Sequence, residues 1–299
     1  MTESYIDAPD GHKIQTYTWH VDNPKAWVHI NHGMSEHAAR YEQFAQELNK
    51  QAYSVVAHNH RGHGNSPSTK LGYFSDKQGW EKTLSDIDTV RDKVCTGDVA
   101  YYLMGHSMGS FIIQAYMVNT ARNVDAMILS GSNFQAPTIA KMACVIAKFE
   151  RWRLGPNKPS KLLQFLSFGS FNQAFKPNRT DFDWLSKDQD QIDAYIDDPL
   201  CGFDCSTQLW IDLLSGLIPL FTPASFTMIQ KNLPIYIFGG ELDPVGEKGK
   251  GLPKLVTAYN KAEQHNVTMK LYESGRHEML NESNRKEVVS DLCTWLKSL

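Results

Sequence analysis

Residues 4–9 and 12–20 alternate apolar and polar side chains on either side of Pro9-Asp10-Gly11, which predicts an antiparallel hairpin at the start of the chain. Ala26–Asn31 and residues 53–57 are short, nearly continuous apolar runs of the kind that strands buried on both faces produce. Between them Tyr41, Phe44, Ala45 and Leu48 recur at 3.6-residue spacing and predict a helix with one buried face. Residues 77–95 read as a polar-faced helix. In residues 99–113 an apolar, aromatic run meets a single glycine-flanked turn and continues into good helix formers, so it reads as strand, sharp turn, helix. A further strand is expected at 124–129. Residues 135–230 then show helices and loops but no convincing parallel strand. Strands resume at 234–238 and Val267–Tyr272 around a helix over 252–264, and a closing helix puts Val288, Val289, Leu292 and Leu296 on one face.

Strands alternating with helices through short links imply an α/β fold, here a mostly parallel eight-stranded sheet covered on both faces. Residues 1–134 and 231–299 are expected to form this sheet domain. Residues 135–230, inserted after the sixth strand, are expected to form a helical cap over the C-terminal edge of the sheet, where open α/β sheets bind ligands.

Composition narrows the class further. The 299 residues carry 41% hydrophobic and 21% charged side chains and a net charge of −3, which fits a folded protein and gives no reason to expect a nucleic-acid partner. The first ten residues lack the charged and apolar regions of a signal peptide, and no apolar stretch has the length to span a bilayer. Cys95, Cys144, Cys201, Cys205 and Cys293 are scattered and odd in number, as expected of reduced thiols in a cytoplasm. Histidine is dense at His29, His32, His37, His58, His60 and His63. The carboxylate-free pattern points to hydrogen bonding in loops rather than to a metal site.

The turn at Gly105-His106-Ser107-Met108-Gly109 supplies the candidate chemistry. A serine at the apex of a strand–turn–helix holds its hydroxyl above the sheet edge in a strained backbone conformation. Gly105 and Gly109 permit this, because a Cβ at either position would meet facing backbone. Such a hydroxyl needs a base, and the base needs an orienting carboxylate. Asp243, in the loop after the strand at 234–238, and His277, in the loop after Val267–Tyr272, stand in the required order, with Glu241 the rival acid. Oxyanion donors are expected from the Met108 amide at the helix start and from the loop after the third strand, where Gly33 lets the Met34 amide come close.

With these residues in place, the chain resembles the serine α/β-hydrolase family, in its monoacylglycerol lipase and lysophospholipase branch. The resemblance rests on residues 32–41 (HGMSEHAARY), 60–66 (HRGHGNS), 105–110 (GHSMGS), 239–243 (GGELD) and 275–278 (GRHE), with weaker likeness in the insertion at 182–186 and 198–203. One departure is Asn59, where the family usually carries Asp. The resemblance implies the α/β-hydrolase fold and hydrolysis of a lipid-like carboxylic ester through an acyl-enzyme on Ser107, without cofactor or metal. Nine of the fourteen phenylalanines fall within 135–230, consistent with an apolar acyl group. Residues 139–149 carry an apolar face flanked by Lys141 and Lys148 that is suited to transient contact with a membrane surface. A thioesterase or aminopeptidase acting on a small substrate, and a ligand carrier that kept the fold, are the competing readings. Oligomeric state is not legible.

Overall fold

Alternation along the central strands decides the architecture. Leu103, Met127, Leu129, Ile235 and Ile237 enter one apolar core, while Tyr102, Met104, Ala126, Ile128, Tyr236 and Phe238 enter another on the opposite face. A sheet with two buried faces must be covered twice. The computed structural model, which describes residues 1–67 and 70–299, has this form.

The strands are β1 (Thr2–Asp7), β2 (Lys13–Trp19), β3 (Ala26–Asn31), β4 (Ser54–His58), β5 (Ala100–His106), β6 (Ala126–Ser130), β7 (Ile235–Gly240) and β8 (Val267–Tyr272). They form one sheet in the order β1-β2-β4-β3-β5-β6-β7-β8. The pairs β1/β2 and β2/β4 are antiparallel and all others parallel.

Helices α1 (Glu42–Asn49), α2 (Gly79–Val94) and α3 (Met108–Asn119) lie between the early strands. The insertion between β6 and β7 holds α4 (Pro137–Leu154), α5 (Lys161–Gln164), a π turn (Phe165–Gly169), α6 (Ser170–Gln173), α7 (Gln189–Asp197), α8 (Thr207–Leu220) and α9 (Pro223–Met228). Helices α10 (Gly251–Lys261) and α11 (Arg285–Leu296) complete the chain. Phe44, Ala45 and Leu48 of α1 and Val288, Leu292 and Leu296 of α11 cover one face of the sheet. Helices α2, α3, α8 and α10 cover the other, so Leu209, Leu213 and Leu217 of the insertion belong to the main core. Two satellite cores lie inside the insertion, one around Cys144, Ala147, Leu163, Ile211 and Leu214, the other around Trp184, Leu185, Ile192, Tyr195 and Cys201.

The eight strands and their order of appearance agree with the apolar pattern, and the helix ends differ from it by a few residues. The histidine-rich region lies in and just after two strands, with His29 within β3 and His58 ending β4, while His32 and His63 bond the backbone of the loops that follow. His29, His32, His58, His60 and His63 are fully buried and pack ring against ring, with centroids 4.4 Å apart for His32–His60 and 4.9 Å for His58–His60. His29 Nε2 and His58 Nδ1 are 2.8 Å apart, and among the described residues no carboxylate hydrogen-bonds any of the five. Asn59 suits its place because it both donates and accepts. Its Nδ2 bonds Gln15 Oε1 at 2.7 Å and its Oδ1 takes the Ala38 amide at 2.7 Å, a pairing that a carboxylate could not make.

Candidate active site

Three loops leave the C-terminal ends of β3, β5 and β8 and converge with the loop after β7. Ser107 closes β5 and precedes α3 with φ 51° and ψ −119°, a left-handed conformation strained for any residue with a Cβ. Its amide bonds the Ser130 carbonyl at 2.9 Å, and its own carbonyl accepts from the Ser110 hydroxyl at 2.6 Å, which holds the turn from both sides. Crossing backbones require the flanking glycines. A Cβ on Gly105 would overlap the Gly109 carbonyl, and one on Gly109 would overlap the Asn31 and His32 carbonyls.

Asp243 and His277 are brought together. His277 Nδ1–H donates to Asp243 Oδ2 at 3.0 Å, with both groups about 1% exposed. Asp243 Oδ1 takes the Val245 amide at 2.9 Å, which fixes the carboxylate plane. Glu241, the rival acid, is exposed, as is His265. Burial alone would push the His277 imidazole down. The Asp243 carboxylate, its hydrogen bond and the carboxylates of Glu278 and Glu36 outweigh burial and raise it above its ordinary value. Its neighbour His106, 4.8 Å away ring to ring, has no carboxylate hydrogen bond among the described residues, and burial and the His277 charge outweigh the pull of Glu36, Glu278 and Asp243 and push it down to about 4.

Ser107 and His277 line one small cavity of about 20 Å³, with Gly33, Met34, Glu36, Phe168, Phe182 and Trp184. His277 Nε2 has no hydrogen-bond partner among the described residues, so the imidazole and the Ser107 hydroxyl share a cavity without being bonded. Hydroxyl–imidazole contacts of this kind commonly tighten only when substrate seats. The cavity has room for about one water molecule, far short of a lipid.

The loop after β3 is held by its own side chains. A Cβ on Gly33 would lie 3.2 Å from Ser107 Cβ, so this backbone passes directly over the serine. His32 Nε2 accepts the His60 amide at 3.0 Å, which puts the ring proton on Nδ1, and that N–H donates to the Gly33 carbonyl at 2.7 Å. The Gly33 carbonyl and the Met34 N–H belong to one peptide plane and point in opposite directions. Fixing the first therefore fixes the second. The Met108 N–H is the first of α3 and has no acceptor within the helix.

Sequence reasoning missed the wall of this site. Trp184, from the insertion, lies 4.9 Å from the His277 ring and stacks on Phe168. Its backbone carbonyl accepts the His277 amide at 3.4 Å, and Leu185 O accepts the Glu278 amide at 2.8 Å. Arg276 Nη1 binds the Asp183 carbonyl and, at 3.0 Å, that of Ser186, while the Ser186 hydroxyl binds Asn281 O at 2.9 Å. The only prior signal was the aromatic run at 182–186. Among the described residues, one group has metal-ligand geometry: His37, Asp198 and Cys201, whose donor atoms lie within 4.8 Å of one another. His37 Nε2 and Asp198 Oδ2 already pair at 2.8 Å.

Comparison with known proteins gives a consistent picture. The sequence model of the family described as serine aminopeptidase, S33, matches residues 22–284. The monoglyceride lipase of Rattus norvegicus is 28% identical, over 98% of this chain and 91% of its own length. The monoacylglycerol lipase of Mycolicibacterium smegmatis is 27% identical, over 96% and 94% respectively. Among solved structures, a thermostable carboxyl esterase from Bacillus coagulans in complex with glycerol superposes with a TM-score of 0.89. It is 23% identical and covers 99% of this chain and 98% of its own.

Proposed function

The chain belongs to the serine aminopeptidase, S33, family of α/β-hydrolases, and from that premise we propose that it hydrolyses lipid carboxylic esters, with monoacylglycerol as the preferred substrate class. One observation carries the reading: a buried Asp243–His277 pair opens onto the same small cavity as a serine held in a strained turn. In this mechanism Ser107 Oγ attacks the acyl carbonyl while His277 Nε2 takes its proton. Asp243 holds the imidazolium, and the Met34 and Met108 amides receive the oxyanion. The protonated imidazole then returns its proton to the departing glycerol oxygen. A water activated by the same nitrogen next cleaves the acyl-enzyme and frees the fatty acid.

Glu36 and Glu278 on the cavity wall are already bound by the Arg40 guanidinium, so neither stands free to take an α-amino group, and the reading favours an uncharged glycerol. Lysophosphatidylcholine and aminoacyl anilides are the comparison substrates. Residues 135–230 hold the cap in this reading; α8 stays packed in the main core, and the part around Phe168, Phe182 and Trp184 must shift to admit an acyl chain into so small a cavity. Helix α4 offers the surface for lipid contact. Ile139, Met142, Val145, Phe149 and Trp152 are all more than half exposed, Trp152 at 80%, beside Lys141, Lys148 and Arg151. No helix among the described residues is long and apolar enough to cross a membrane.

A fluorophosphonate should label the wild type and not Ser107→Ala, and monoacylglycerol hydrolysis should fall by about 10⁶ in that variant. Retention of activity by Ser107→Ala would reject the mechanism. Faster turnover of lysophosphatidylcholine or of an aminoacyl anilide than of monoacylglycerol would reject the substrate.

A further inference from the structure

Three charged side chains next to the cavity take no proton in the mechanism above: Glu36 and Glu278 are buried, and Arg40, its side chain 12% exposed, bridges them. Arg40 donates from Nη1 to Glu36 Oε2 at 2.6 Å and to Glu278 Oε1 at 2.9 Å, and from Nη2 to Glu278 Oε2 at 2.7 Å. Glu36 Oε1 in turn accepts the Gly33 amide at 2.6 Å and the Tyr41 hydroxyl at 3.0 Å. Glu278 follows His277 in the chain. The guanidinium also lies 4.8 Å from the Tyr195 ring centroid, and Tyr195 donates its hydroxyl to Ser35 O at 2.8 Å. A planar guanidinium with two carboxylates at fixed angles sets geometry as well as charge, a role an ammonium does not fill.

Resting on the reading above, we propose that Arg40 is a positioning residue for acyl transfer: it clamps the loop that presents the Met34 amide to the loop that presents His277, through Glu36 and Glu278. Glu36 pins the Gly33 N–H while His32 pins the Gly33 carbonyl, so Gly33 is held through both of its peptides, and the second of these carries the Met34 N–H aimed at the oxyanion. Without Arg40, two buried carboxylates would face each other uncompensated and the two loops would lose their common fixed point. The cost should appear in kcat, because the contact is to the machinery and not to the substrate.

The test compares Arg40→Met, Arg40→Lys and Glu36→Gln with wild type by kcat, KM, thermal midpoint and the pH profile of kcat/KM. Arg40→Met should lose about 10² in kcat with KM changed less than about threefold, the loss expected when a donor is displaced by an ångström. Arg40→Lys should restore only part of that loss. Glu36→Gln is near-isosteric and still accepts the Gly33 amide through Oε1. It should move the acid limb of kcat/KM to lower pH, because the charged groups facing His277 are Asp243, Glu278 and Glu36, with Arg40 behind them and His106 alongside. A purely structural salt bridge would lower the thermal midpoint and leave kcat and the pH limb of the folded enzyme in place. If Arg40→Lys and Glu36→Gln fold and keep wild-type kcat and pH profile, the inference is overturned while Ser107-dependent hydrolysis stands. If Ser107→Ala keeps its activity, the underlying reading has failed instead.

Discussion

The buried histidines make acid lability a quantitative expectation. Burial, the largest cause in each case, holds His29 and His63 at about 3 and pushes His32, His58 and His60 well below the ordinary value. In the unfolded chain each regains a pKa of about 6.5. The folded pKa values are depressed, so the unfolded state binds more protons as pH falls below 6.5, and stability must fall with it. Between pH 7 and 5.5 each imidazole contributes about 1.3 kcal/mol of that loss, and the five together about 6 kcal/mol. His12 and His106, both pushed down to about 4, add to the effect. His277, raised, and the carboxyls of buried Asp86 and half-buried Asp212, pushed up to about 6, work in the opposite direction and offset most of that addition. A loss of about 6 kcal/mol is comparable with the whole stability of a typical domain, about 5–15 kcal/mol. Urea unfolding followed by tryptophan fluorescence at half-unit steps from pH 7 to 5.5 should show the midpoint falling steeply with little change in m. Ordinary carboxylates do not titrate in this window, so the histidines dominate it. A loss of less than about 2 kcal/mol across the window would refute the assignment of these five rings as neutral and unable to take a proton in the folded state.

Two further outcomes follow from named contacts. Gly109→Ala should cost at least about 10² in kcat/KM and lower the thermal midpoint, because the new methyl must displace the Asn31 and His32 carbonyls; Gly239→Ala, which meets only Leu252 methyl groups at 3.3 and 3.7 Å, should be mild, and equal effects would discount the close-approach argument. Trp152→Ser should weaken partition onto anionic lipid vesicles by about tenfold or more, the loss of most of a large apolar side chain's transfer energy, while hydrolysis of a soluble short-chain ester stays unchanged; equal partition would remove α4 from the membrane reading.

The strands were legible because a strand buried on both faces leaves mostly apolar positions to read, as at Ala26–Asn31 and 124–129. The candidate site residues were legible for a different reason: each sits immediately after a strand, where topology alone brings loops together. Glu36, Arg40 and Glu278 were not. Glu36 and Arg40 stand four apart, a spacing that in sequence looks like an ordinary surface pair, and only the fold brings Glu278 to the same guanidinium. The pairing of the histidines was not legible for a related reason. His29 reads as mid-strand, but its partners, the Tyr101 hydroxyl and His58, come from neighbouring strands that only the fold brings beside it. Nor does any pattern within 135–230 say that Trp184 would close over His277, since that depends on backbone hydrogen bonds between segments about ninety residues apart.

The two ionisable clusters meet at one residue. Gly33 is held at its carbonyl by His32, which must stay neutral so that Nε2 accepts and Nδ1 donates, and at its amide by Glu36. His277 and His32 both take up protons toward acid, but at different points. His277, the proposed base, is raised by its carboxylate neighbours and gains its proton first, which stops acyl transfer while the fold is intact. His32 resists protonation by burial and yields only when the histidine core opens. The electrostatics of the site therefore set the acid limit of activity above the acid limit of the fold, so the first loss of activity on acidification is a titration, reversible on return to neutral pH. The carboxylates that raise His277 are also the ones Arg40 binds, so the residue that positions the two loops also moderates the pH at which the base switches off.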